Sequence, residues 1–129
     1  MAAIQKLAQV LAKVLKLKSQ GDVDEALQLS QNTLKDVFAL DPAIIQDLSV
    51  EDFDRDIKSK NYETEKLDLL AQFLFESVYP FNTIPDTHTV LHKVLVIYNI
   101  LEREHHTLSM ENFSRREMID NFLNTEQYE

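Results

Sequence analysis

Two histidines, His88 and His92, stand one helical turn apart, the spacing at which two imidazoles on one helix face can hold zinc. The residue after His88 is Thr89, so the acid of an HExxH motif is missing, and a third ligand would have to be Asp86 or come from elsewhere in the fold. The structural alternative is that both rings cover the end of the helix that carries them. Asp52, Asp54, Asp56 and Glu63 have the one-three-five-twelve spacing of an EF-hand calcium loop. Two occupants argue against that loop. Ile57 stands where the sharp turn requires Gly, and Lys60 places a cation in the cation site. A helix-start signal at Ser49 also puts the three aspartates on a helix, which splays them. His105 and His106 are adjacent, so a helix points them about 100° apart, and at a C-terminus both suit the helix dipole.

Other chemistry lacks its residues. With no Cys there is no thiolate nucleophile, zinc ribbon or disulfide framework, which fits a reducing, cytoplasmic setting. The single glycine, Gly21, rules out a glycine-rich phosphate loop, and no serine sits between the glycines of a nucleophile elbow. The expectation is a protein that is not an enzyme and needs no cofactor. A net charge of −9 argues against nucleic acid, whose phosphates need a basic face. The charge is uneven. Residues 1–20 hold Lys6, Lys13, Lys16 and Lys18 and no acid, so that segment is +4 and the rest sums to −13. A basic amphipathic helix over residues 2–20 can lie on an anionic membrane. Its apolar face is also what packing against the next helix requires, and intramolecular complementarity accounts equally for the lysines, so membrane attachment is the secondary reading.

The elements that would position these groups are helical. Ile4, Leu7, Ala8, Leu11, Val14 and Leu15 repeat at helical spacing from about Ala2 to Gln20. Gly21 stops that helix, and Asp22 with Glu25 reads as an acidic capping box opening the next. That helix offers Val23, Ala26, Leu27, Leu34, Val37 and Phe38, so the two close as an antiparallel hairpin. Asp41-Pro42 ends it, and a short turn follows over 42–47. Ser49 with Asp52, stapled by Leu48 and Phe53, starts a brief helix from about Val50 to Lys58. Asn61 caps a longer one that Tyr79-Pro80 closes.

Pro85, with Thr83 or Ile84 as cap, opens a helix running to about His105. Within it, nine of twelve residues in VLHKVLVIYNIL (90–101) are apolar or aromatic and fall on every side of a helical wheel. A helix apolar nearly all round is buried, and the run is too short for the roughly 20 residues of a membrane span. Ser114 with Glu117, flanked by Phe113 and Met118, predicts a last helix from Arg115 to about Asn124, after which residues 125–129 fray. The expected fold is all-α: one domain over 1–129, an antiparallel bundle of five to six helices around a central buried helix at about 86–105.

Two resemblances bear on this fold. GDVDEA at 21–26 resembles the inter-helix turn of a tetratricopeptide (TPR) repeat, and Asp41-Pro42 resembles the repeat's closing proline. Lys13 and Val14 replace the repeat's usual Leu and Gly, the proline arrives four residues late, and no second copy follows at 34 residues. IQKLAQVLAKVLKLK and ENFSRREMIDNFL are similar to the two ends of a family of small, uncharacterised bacterial helical proteins with TPR-like topology. That resemblance implies a bacterial cytoplasmic protein with no catalytic residues to carry over. The function expected is therefore a protein–protein interaction or scaffold module, binding a protein, a peptide or a second copy of itself. Phe75, Tyr79 and Phe81 are the candidate contact residues. The alternative is a metal or small-ligand domain using His88 and His92.

Overall fold

The computed structural model describes residues 2–79, 81, 85–107 and 109–127, with side chains for all of these except 2, 42, 85, 86 and 125–127. These residues form seven helices and no strand: α1 (Ala2–Ser19), α2 (Val23–Asp36), α3 (Pro42–Asp47), α4 (Val50–Lys60), α5 (Thr64–Val78), α6 (Pro85–Arg103) and α7 (Met110–Gln127).

The α1–α2 turn is closed by backbone alone. Gly21 adopts φ +86°, its N–H donates to the Lys18 carbonyl at 3.1 Å, and the Asp22 N–H donates to the Leu17 carbonyl at 2.8 Å. This is a Schellman closure. It corrects the expected capping box, because the Asp22 N–H that Glu25 would have bound is already engaged, and the Asp22 carboxylate makes no cap bond.

α2 ends at Asp36, short of Phe38. Ala39 takes a left-handed φ of 55°, and the Leu40 N–H reaches back to the Leu34 carbonyl at 2.9 Å. Unwinding there places both Phe38 and Leu40 in the interior. α3 is a capped helix and not a loose turn, since the Asp41 carboxylate accepts the Ala43 N–H at 3.0 Å. Ser49 caps α4 as its type and spacing predict, accepting the Asp52 N–H at 3.0 Å.

Asn61 does not open α5. At φ 51° it closes α4, and Glu63 precedes α5 without a side-chain cap. Asn suits both positions, and the short connection used it for the left-handed one. The last helix begins five residues before Arg115. Ser109 is its cap, its hydroxyl accepting the Asn112 N–H at 3.1 Å, so Ser114 lies inside α7 and Phe113 and Met118 are exposed instead of stapled. The predicted caps of α6, Thr83 and Ile84, lie outside the described residues.

α1 lies against α2 and α5, and α2 against α5. α5 and α6 pair, and α6 meets α3, α4 and α7. The interior is thus shared by two helices. α5 buries Leu67, Leu69, Leu70, Phe73, Leu74 and Phe75, and α6 buries Leu91, Val94, Ile97, Tyr98 and Leu101 among others. Side chains tie the outer pieces to this pair. Tyr62 donates to the Phe38 carbonyl at 3.0 Å while their rings meet edge to face at 5.9 Å. Lys66 lies over the Tyr62 ring at 4.8 Å, near the end of α2 where a cation suits the helix dipole.

Ala39 is exposed, so its left-handed backbone carries a penalty that no packing of its methyl group offsets. Ala39→Gly should raise unfolding free energy by about 1 kcal/mol in urea titration. Gly21→Ala should lower it by a similar amount, since a Cβ there meets nothing and the effect is purely conformational.

Candidate functional site

The histidine pair is not brought to a ligand set. The half-buried His88 packs its ring on Phe122 of α7 at 5.4 Å between centroids, whereas His92 is exposed. Among the described residues no three His, Cys, Asp or Glu side chains gather closely enough to hold a metal ion. His105 lies beyond the end of α6 and shares a 2.7 Å hydrogen bond with the Thr64 hydroxyl at the start of α5. His106 occupies a left-handed position with φ 54°.

The calcium-like spacing falls on helix α4. A helix rotates successive residues by about 100°, so Asp52, Asp54 and Asp56 cannot converge on one ion. Each pairs along α4 instead: Asp52 with Arg55 at 3.2 Å, Asp54 with Lys58 at 3.2 Å and Asp56 with Lys60 at 3.9 Å.

Of the four lysines in α1, Lys18 alone meets an acid. Its ammonium reaches Glu76 Oε1 and the carbonyl oxygens of Glu76 and Tyr79, all at 2.7 Å. It thereby satisfies carbonyls that the end of α5 leaves open. Lys6, Lys13 and Lys16 are exposed and form no ion pair with a described residue, so complementarity within the chain accounts for one lysine only.

Phe75, Tyr79 and Phe81 do come together. Phe75 stacks on Tyr79 at 5.4 Å, Phe81 meets both edge-on at 5.3 and 5.4 Å, and Phe81 continues to Phe122 at 5.2 Å. The rings chiefly pack on one another. Phe75 is buried and Phe81 half-buried, which leaves Tyr79, 39% exposed, as the member open to a partner.

A larger concavity lies elsewhere among the described residues. A cleft of about 570 Å³ runs between the α2–α3 connection, α3 and α4. Leu40, Ile44, Ile45 and Leu48 give it an apolar wall, and Arg55 and Lys60 with their paired aspartates edge it. Ile44 is 59% exposed beside it. The sequence signal was faint, because a six-residue helix shows too little periodicity for an outward Ile44 to be told from an inward Ile45. A second depression, about 250 Å³, lies between α4 and α6 beside Val50, Asp54, Val96 and Arg103.

Within residues 90–101 of α6 the run of apolar residues conceals two buried polar groups. Lys93 is 1% exposed and makes no hydrogen bond or ion pair with a described residue, and desolvation lowers its pKa. The buried Tyr98 hydroxyl makes no well-formed hydrogen bond, and burial pushes its pKa up to about 12 despite the opposing charge of Arg115. Beside it a polar seam fastens α7. Asn112 donates to Asp68 at 2.6 Å, Arg115 donates to Asn112 at 3.0 Å, and Arg116 donates to Glu102 at 2.9 Å.

No protein-family model, curated protein or solved structure matches the chain. No helix among the described residues is long and apolar enough to cross a membrane.

Phe75→Ala should destabilise the fold by about 3 kcal/mol, as for a core phenylalanine, while Tyr79→Ala should cost less than about 1 kcal/mol. Equal losses in urea titration would contradict the packing described. For Lys93, a lowered folded pKa means that the unfolded chain binds more protons below the ordinary lysine value. Stability from this group therefore rises with pH between the folded pKa and 10.5, and below that window, where both states are protonated, it stays level at its lowest. Lys93→Met should raise stability at neutral pH by about 1 kcal/mol and flatten the alkaline rise, read by thermal melts across pH.

Proposed function

We propose that this protein is a small helical interaction module without catalytic activity, and that the α3–α4 cleft takes an apolar anchor from a protein or peptide partner. The observation that carries the reading is Ile44, which stands 59% exposed beside a concave apolar wall with charged edges. The cleft falls within the size of ordinary ligand sites. The acids Asp52 and Asp56 at its edge are each engaged by a neighbouring base, an arrangement suited to orienting a partner and not to acid–base chemistry.

The topology reading is TPR-like. Support comes from two hairpins, α1–α2 and α5–α6, with α5 lying against both helices of the first pair, as stacked repeats do. α3 and α4 are then an insertion between repeats, which accounts for the missing 34-residue period. The cysteine-free composition suits work in the cytoplasm.

A photo-crosslinking residue at Ser59, on the cleft, should give a discrete adduct in the cells that make the protein, and one at Gln28, on the outer face of α2, should not. Ile44→Asp should abolish that adduct while leaving the melting curve nearly unchanged, as expected of an exposed position. An adduct indifferent to Ile44→Asp, or none from Ser59, would overturn the assignment.

A further inference from the structure

α1 and α7 form two outer helices of the bundle, α1 packing on α2 and α5 and α7 on α6, and each turns a whole face outward. Their outer faces carry opposite charge. On α1, Lys6, Lys13 and Lys16 fall within about 80° of one another on a helical wheel, all exposed, with no acid anywhere in the helix. Beside them runs an exposed apolar strip of Ala8, Ala12 and Leu15.

On α7 the exposed charges are Glu111, Glu117 and Asp120, while its two arginines turn inward to Asn112 and Glu102. On a helical wheel Glu117 and Asp120 fall within about 80° of one another together with Met110 and Phe113, 80% and 50% exposed, while Glu111 and the exposed Met118 lie about 80–100° further round. None of these three lysines or three acids has an ion-pair partner among the described residues. Apolar side chains rimmed by like charges, met by a second such face of opposite charge, form a matched pair. The lysines match what the acids lack.

We propose that the protein assembles head to tail, the outer face of α1 in one copy docking on the outer face of α7 in the next. The contact joins two different patches, and repeated from copy to copy it builds a ring or an open chain. Helical repeats stack in the same manner within one chain, each burying the end face of its neighbour. The net charge of −9 does not forbid this. At 0.1 M salt the Debye length is about 10 Å, so the bulk charges a molecular diameter apart are screened while the touching pairs are not. This surface is separate from the α3–α4 cleft, and the two assignments stand or fall independently.

The test is a charge swap read by analytical ultracentrifugation. The wild-type chain should sediment above the mass of one chain at 0.1 M salt and dissociate towards it near 1 M, where the Debye length is about 3 Å. Lys13→Glu with Lys16→Glu, and separately Glu117→Lys with Asp120→Lys, should each weaken association about tenfold or more. Mixing the two variants should restore it, because each reversed face then meets its complement. Phe113→Gln, which keeps every charge, should also weaken association, and circular dichroism should show all variants folded. A wild-type chain that stays single up to its solubility limit would overturn the proposal. So would assembly that neither reversal weakens, or a mixture that stays monomeric. Monomers that instead float with phosphatidylserine vesicles, and lose that on Lys13→Glu with Lys16→Glu, would assign the α1 face to lipid and likewise overturn it.

Discussion

Burial of α5 and α6 against each other is the constraint from which the other helices take their places. Phe73, Leu70, Leu74, Leu91, Val94 and Ile97 are fully or almost fully buried, and apolar residues stand on nearly every side of both helices. Neither helix can lie at a surface without exposing a large apolar area, at roughly 25 cal/mol per Å². Each therefore needs cover on several sides. The α1–α2 hairpin covers α5, and α3, α4 and α7 cover α6. The covering helices are amphipathic for the same reason, with one apolar face spent on the interior and one face left for water or a partner.

Specific polar contacts fix where the cover sits, because apolar burial alone does not select a register. Lys18 holds the end of α1 to the end of α5 through two carbonyls and a carboxylate. Tyr62 holds the end of α2 to the α4–α5 connection. Asn112, Asp68 and Arg116 hold α7 to α5 and α6. α7 is fastened by this polar seam as much as by Ile119, Phe122 and Leu123, and so it retains apolar residues on its outer side. Lys93 is a local conflict within the scheme, a charge in the helix that the core most needs to be apolar, with no compensating acid among the described residues.

The cover leaves little unpaired. The aromatic residues around the end of α5 are largely consumed in packing with Phe122 and His88, and the acids of α4 are consumed in pairs along their own helix. What remains unmatched is the α3–α4 cleft beside Ile44 and the opposed charges of the two outer helices. We propose association at both surfaces.

Residues by themselves determined the helical class, most helix positions and the buried stretch 90–101, because period, proline and glycine act within a few positions of chain. Ser49 was legible as a cap because its partner Asp52 is three residues away. The failures share one cause. Asn61, Ser114 and the Asp22–Glu25 pair each satisfied a local rule, and in each place a competing local bond with equal standing won once the neighbouring helices had to pack. Tertiary structure alone decided that Phe75 faces inward, that Lys18 finds Glu76 across 58 positions, and that Lys6, Lys13 and Lys16 form no ion pair among the described residues. A side chain's spacing states which helix face it is on; whether that face meets protein or water depends on helices far away in sequence.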